Sequence, residues 1–411
     1  MQEPVLPRRL ISQPFQSSYK SQGKARDAPL KRQCLPVVYQ RQYRTQAGES
    51  KSDVSKAGNG AGSSSLTPRI IHTVKDLRAW RREALMNGKK VGFVPTMGAL
   101  HAGHLNLVQA SLENNDCTVV SIFVNPAQFA PHEDLSSYPR TLPSDTAALS
   151  QLSSGEDRRV DIIFAPSVSE MYPSGLTQVV QDQVGAFVEV KGLSHQMEGG
   201  SRPTFFRGVV TVCTKLFHAV QPDATYFGQK DIQQSVILRR LLSDLLFPFP
   251  EPQNMHVLPT TRDPITGLAL SSRNAYLSPK TREKYAPALY RALMAGQLAW
   301  EQVQEPEEGK SSSGEGAMRI RRTLQAARKV IAGEAALAQK DGVRLQLDYI
   351  SLNDPSTLAN LEQQAASVGS SDFKVDKAIM SGALLASEIE PDGKKSRVTR
   401  LIDNVLLGFS M

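Results

Sequence analysis

The chain has 411 residues, 40% of them hydrophobic, and a formal net charge of +8. That is enough apolar material for a sizeable core, and the length suggests roughly two to three domains. No apolar run of ~18 residues occurs, which excludes a membrane-spanning helix. Cys34, Cys117 and Cys213 lie too far apart for a disulfide framework or a CxxC-type zinc site, a pattern that fits a reducing compartment.

The charge is concentrated at the start. Residues 1–68 hold eleven Lys and Arg against four Asp and Glu, a net +7 that leaves +1 for the rest of the chain. The near-neutral body gives no electrostatic reason to expect a nucleic-acid partner. The first segment is rich in Ser, Gln and Arg, the composition of a mitochondrial transit peptide, and Arg41-Gln-Tyr-Arg-Thr45 resembles a matrix-protease cleavage context. Glu3, Pro4 and Pro7 count against an amphipathic targeting helix. A plain disordered extension, joined by the Gly/Ser-rich linker Ala57–Ser65, fits as well. The compartment therefore reads as cytoplasmic or mitochondrial, with no secretory apolar region.

From Arg69 the pattern becomes globular. Thr73–Asn87 reads as a helix capped by Thr73, Lys90–Pro95 as a strand, and Leu105–Glu113 as a helix. Cys117–Val124 is a near-continuous apolar run, as expected of a strand buried on both faces of a parallel sheet. Asp145–Leu152 reads as helix, Val160–Ala165 as strand, Arg207–Val220 as helix, Ala224–Phe227 as strand and Lys230–Asp244 as helix. This alternation predicts a doubly wound, Rossmann-like α/β domain over 69–260, with its ligand crevice at the carboxyl ends of the strands. Beyond it the texture changes. Arg262–Ser278 is loop-like, Lys280–Gln302 and Ala317–Lys340 read as helices, and Leu345–Leu352 and Lys374–Leu385 read as strands. Residues 261–411 are expected to form a smaller α+β domain that acts as a lid.

Four constellations carry chemistry. Pro95-Thr-Met-Gly-Ala-Leu-His-Ala-Gly-His104 follows a strand and opens a helix. It places His101 and His104 on one helical face, beside glycines and a helix N-terminus that favours anions; the plainer reading is that both histidines only cap the helix. Phe123-Val-Asn125-Pro-Ala-Gln128-Phe129 sets two amides after a buried strand, suited to a hydroxy-acid or else satisfied by the local backbone. Gly228-Gln229-Lys230-Asp231 opens a helix whose lysine can neutralise phosphate charge, with Gln234 one turn on. Leu270-Ser271-Ser272-Arg273-Asn274 offers small donors and a guanidinium fork for phosphate.

Together with Tyr138-Pro-Arg-Thr141, Phe164-Ala-Pro-Ser167, Met171-Tyr-Pro173, Phe206-Arg-Gly-Val209 and Arg400-Leu-Ile-Asp-Asn404, these motifs resemble the pantothenate synthetase (pantoate–β-alanine ligase) family. That family belongs to the HxGH nucleotidyltransferases, and the resemblance runs from about Arg69 to Gly408. It implies ligation of pantoate to β-alanine through a pantoyl adenylate, releasing AMP and pyrophosphate, on the path to coenzyme A. It also implies an ATP site at Met97, Gly98, Ala99, Leu100, His101, Ala102, Gly103, His104, Gly228, Gln229, Lys230, Asp231, Thr261, Leu270, Ser271, Ser272 and Arg273. His104, His101, Lys230 and Arg273 would be catalytic, Gln128 and Gln234 would hold pantoate, and Gln128 would also lie near β-alanine. Mg²⁺ is expected on the phosphates, near Asp145, and the assembly is expected to be a homodimer with no nucleic-acid or membrane partner. The chain departs from the pattern at Gln229, where the family usually has Glu, and at Phe205, where a histidine is common. It is also one residue longer than bacterial relatives in Arg262–Gly267. The N-terminal tail, Glu305–Gly316 and Glu362–Ser371 read as surface insertions. Two other functions are consistent with such a site: a nucleotidyltransferase acting on a phosphate ester, and a non-catalytic binding protein. The amides Gln128 and Gln234 argue against the first, and retention of both histidines and both cations against the second.

Overall fold

Short β-branched runs supply the first architecture, a six-stranded parallel sheet. Its strands are β1 Arg69–Ile71, β2 Val91–Thr96, β3 Cys117–Ile122, β4 Val160–Phe164, β5 Ala224–Gly228 and β6 Met255–Leu258, in the order β1-β4-β3-β2-β5-β6. The computed structural model describes residues 67–131, 133, 135–155, 158–302, 314–367, 373–388 and 397–411. The extension to residue 66, residues 305–313 of the Glu305–Gly316 segment and part of Glu362–Ser371 lie outside those residues.

Both faces of the sheet are covered. Val91 and Phe93 bury into a layer with Leu77 and Phe217, whereas Val94 faces Val108 and Leu149 on the other side. This two-sided burial is why these strands read as continuous apolar runs rather than alternating ones. Each fully buried side chain of this size contributes roughly 1.5–3 kcal/mol. The helices of this part of the chain are α1 Val74–Met86, α2 Ala102–Asn114, α3 Leu142–Ser150, α4 Val168–Met171, α5 Glu198–Ser201, α6 Phe205–Val220 and α7 Ile232–Asp244. Thr73 caps α1 as expected, accepting from Asp76 N–H.

The second sheet is antiparallel, in the order β7-β8-β9: β7 Val343–Asn353, β8 Ala378–Glu388 and β9 Thr399–Leu407. It packs with helices α8 Ala288–Glu301 and α9 Glu315–Lys340 around Leu293, Leu324 and Met380. The short helix α10, Leu361–Ser367, follows β7. Ile379 of β8 joins the core of the first sheet, so the two layers share apolar packing.

Several boundaries differ from expectation for identifiable reasons. Lys280–Gln302 is not one helix: a π-type turn over Thr281–Tyr285 precedes α8, and Pro287 sits at the α8 N-cap, where its ring starts a helix but could not continue one. Lys230 and Asp231 belong to a 3₁₀ turn, Gln229–Asp231, ahead of α7. Within the Arg262–Ser278 loop, Ser272–Tyr276 forms another such turn. Strands β1 and β6 were not anticipated, since β1 buries only Ile71 and β6 only Met255. Among the described residues no helix is long and apolar enough to cross a membrane.

Candidate active site

The sheet order reverses between β2 and β5, which is where a doubly wound sheet opens a crevice at its strand ends. A cleft of about 410 Å³ lies there, lined by Thr96 and Met97 at the end of β2, Asn125 and Gln128 after β3, Gly228 and Lys230 at the end of β5, and Leu258 to Thr261 at the end of β6. Of the residues the sequence singled out, it brings together Met97, His101, Gly103, His104, Gln128, Gly228, Lys230, Asp231, Gln234, Thr261, Leu270, Ser271, Ser272 and Arg273. Gly98, Ala99, Leu100, Ala102 and Gln229 do not line it.

The loop entering α2 is built for precision. Gly98 has φ +81° and Ala99 φ +50°, the latter in a region that costs a non-glycine residue roughly 1–2 kcal/mol. The loop is held there by the buried Asp145 carboxylate, which accepts from Ala99 N–H at 3.0 Å, Leu100 N–H at 2.9 Å and Thr141 hydroxyl at 3.0 Å. Asp145 thus acts as a brace; it is absent from the cleft lining. Among the described residues no group of three His, Cys, Asp or Glu is arranged to hold a metal ion.

The two histidines do cap α2, but only with one nitrogen each. His101 Nδ1 accepts from Gly103 N–H at 3.1 Å, and His104 Nδ1 accepts from His101 N–H at 3.4 Å. Their rings lie 4.2 Å apart. An Nδ1 that accepts a hydrogen bond carries no proton, so in the neutral ring the proton sits on Nε2, leaving one N–H donor per ring. Burial, then the Lys230 charge, lower the His101 pKa to about 4. Burial, then His101 and Lys230, lower that of His104 to about 3. Both are neutral donors at pH 7.

A pH prediction follows with a definite sign. Because both folded pKa values lie below the 6.5 of a free imidazole, the stability contributed by keeping these rings neutral is fully present above pH 6.5. It is lost as pH falls from 6.5 toward 4 and then 3. Imidazole NMR titration should find both rings neutral at pH 6 in the ligand-free protein. Rings already half-protonated at that pH would refute the burial argument.

Lys230 Nζ pairs with Asp231 Oδ2 at 3.1 Å. Burial pushes the Asp231 carboxyl up, but Lys230 and then Arg273 outweigh it and leave the group below its usual range. Across the cleft, Ser271 Oγ accepts from Arg273 N–H at 3.3 Å and so starts the turn that carries the guanidinium. Among the described residues Arg273 has no ion-pair partner. Thr261 is tied into the wall by Asn106 Nδ2, which donates to its hydroxyl at 3.0 Å, and by Leu270 N–H, which donates to its carbonyl at 3.0 Å.

The amide pair divides its work. Asn125 is buried and fully engaged: its Nδ2 donates to Gly208 O at 3.2 Å and to Gln128 Oε1 at 3.0 Å, and its Oδ1 accepts from Tyr172 OH at 2.7 Å. It therefore orients Gln128 and has nothing left to offer a ligand. Gln128 and Gln234 present their amides to the cleft.

Several site-forming residues were not legible in the sequence. Arg202 makes a two-pronged pair with Glu133, both contacts 2.7 Å, and donates to Gln128 O at 3.1 Å. Its guanidinium stacks 3.9 Å over Phe205, which gives the Phe205 departure a role. Gln229 turns away from the cleft, donating to Asn404 Oδ1 at 3.2 Å, so the change from the usual Glu falls outside the cleft lining. These partners sit up to 175 residues apart, with no local pattern to betray them.

A doubly wound α/β sheet with paired histidines, two cations and neutral amides at its switch point is an arrangement that can accept an anion beside a small polar molecule. The family model for pantoate-beta-alanine ligase matches residues 69–406, and the chain belongs to that family. A pantoate–β-alanine ligase of Saccharomyces cerevisiae is 39% identical over 342 residues, covering 82% of this chain and all of the relative. A pantothenate synthetase of Herpetosiphon aurantiacus is also 39% identical, with the same coverages. Among solved structures, a pantothenate synthetase of Thermus thermophilus aligns with a TM-score of 0.58 at 37% identity, over 82% of this chain and 98% of its own. The Francisella tularensis ligase, complexed with a β,γ-ATP compound and β-alanine, aligns with a TM-score of 0.51 at 27% identity, over 82% and 97%.

Proposed function

We propose that this ligase condenses pantoate with β-alanine at the expense of ATP, through pantoyl adenylate, in the cleft between β2 and β5. The observation that carries the reading is the convergence there of two neutral imidazoles, Lys230 and Arg273 with two uncharged amides. The structure of the Francisella relative with an ATP compound and β-alanine supports the same substrate classes.

In the first step a pantoate carboxylate oxygen bonds to the α-phosphorus as the bond to the bridging oxygen breaks, and pyrophosphate leaves. The transition state gathers negative charge on phosphate oxygens, so the useful groups are fixed donors and cations rather than a nucleophile. His101 and His104 supply Nε2–H donors; Lys230 and Arg273 supply charge. Gln128 and Gln234 hold pantoate with neutral amides, which orient its carboxylate without the charge-assisted pairing that would blunt it as a nucleophile. In the second step the β-alanine nitrogen bonds to the acyl carbon, the carbon–oxygen bond to AMP breaks, and the nitrogen loses a proton.

Mg²⁺ carried in on the triphosphate would shield phosphate charge there. Asp145 is committed to the Ala99–Leu100 loop and Asp231 to Lys230, so neither is offered as its protein ligand.

Omitting each substrate in turn tests the reading. AMP formation should require ATP, pantoate and β-alanine together, while pyrophosphate release should require pantoate but persist, for about one turnover, without β-alanine. Pyrophosphate release with a phosphate ester in place of pantoate would overturn it. Gln128→Ala should raise the pantoate KM by ~10-fold or more, in line with loss of a buried polar contact, with little change in the ATP KM. A change confined to ATP would show that the amide is misassigned.

A further inference from the structure

The Arg400–Asn404 motif lies in β9, far in sequence from the cleft, yet two of its residues hold the segments that carry the cations. The Gln229–Asp231 turn has no side-chain cap of its own. Two of its carbonyls are held by one buried amide: Asn404 Nδ2 donates to Gln229 O at 2.8 Å and to Lys230 O at 2.9 Å. The same amide's oxygen accepts from Gln229 Nε2 at 3.2 Å, so every polar atom of this 1% exposed side chain is spent on the turn. Next to it, the Asp403 carboxylate receives Arg262 through two contacts of 2.5 and 2.9 Å. Arg262 bridges to Ala269 at the root of the loop that presents Arg273. One dipeptide on an edge strand thus ties down the bases of both cationic arms.

We propose that Asn404 is a positioning residue for the reaction: by clamping the two carbonyls it fixes where Lys230 presents its ammonium in the cleft. The inference rests on the proposed role of Lys230 at the phosphates. A lysine on a long stem is aimed chiefly by its backbone, and misplacement of a group by ~1 Å can cost ~10²-fold in rate. A side chain that merely helped the fold would lower the amount of active enzyme by the same factor whatever stood at position 230. One that works through Lys230 would not.

The test is a double-mutant cycle in the full chain, with AMP formation measured at saturating substrates. Asn404→Ala should lower kcat ~10-fold or more and change the pantoate KM less than ~2-fold. Added to Lys230→Ala, it should lower kcat by less than ~2-fold further. Asn404→Ser keeps one donor for the turn and should fall between; it carries the same test if Asn404→Ala is not recovered folded. Equal losses from the Asn404 variant in both backgrounds, or a kcat within twofold of the parent, would overturn the positioning role while leaving the ligase reading intact. A Lys230→Ala enzyme with undiminished kcat would instead overturn the phosphate role of Lys230, and this proposal with it.

Discussion

Replacing His104 with alanine is expected to lower AMP formation by ~10² or more without unfolding the protein, the size of effect seen when one preorganised donor to a developing charge is removed. The ring is half-buried at the cleft wall, its Nδ1 is occupied by the His101 N–H, and its pKa is held near 3, so at neutral pH its contribution is a fixed Nε2–H dipole rather than a mobile charge. Such a dipole costs nothing to reorganise when negative charge appears on phosphate. The structural cost of losing it is small, because the capping bond it accepts is long at 3.4 Å and the first sheet's core does not depend on it. Thermal melting should therefore shift little while kcat collapses. Turnover within a few-fold of the parent would remove His104 from the chemistry and leave it a capping residue.

Gly208→Ala is expected to do the reverse, damaging fold and pantoate binding together. Helix α6 approaches the Pro126–Gln128 turn so closely that a Cβ at position 208 would lie 2.2 Å from Ala127 O and 2.6 Å from Gln128 N. Both neighbours are backbone, so neither can rotate aside. Overpacking of this kind costs about 3 kcal/mol. Relief would push the turn outward, and Gln128 rides on it. The bond from Asn125 Nδ2 to Gly208 O, which helps orient Gln128, would be strained by the same movement. A melting temperature lower by several degrees and a pantoate KM raised ~10-fold or more are the expected readings. An unchanged melt with an unchanged pantoate KM would show that this approach does not fix the amide.

The parts of the molecule that could be read from the chain are those governed by local patterning. β2, β3, β4 and β5 are apolar because both faces are covered, and the HxGH histidines, Lys230 and Arg273 fall next to strand ends or in the loop after β6. What escaped reading is governed by distant contacts. β1 and β6 are short edge strands with a single well-buried residue each, too little for an apolar run. Pro287 splits an otherwise helical stretch, a break that apolar periodicity alone overlooks. Asn125 seemed free for a ligand only because its partners Gly208 and Tyr172 are remote in sequence. The pairs Arg202–Glu133 and Arg262–Asp403 and the Asn404 clamp escape for the same reason, since nothing near any of these residues announces its partner.

The central claim is that imidazoles at the start of α2 and cations from two other segments surround one triphosphate. A crystal structure with a non-hydrolysable ATP analogue tests it most directly. The account expects phosphate oxygens within hydrogen-bond distance of His101 or His104 Nε2, and of Lys230 and Arg273, at the β2–β5 crevice. A triphosphate seated elsewhere, with those four side chains unaltered and uncontacted, would contradict it.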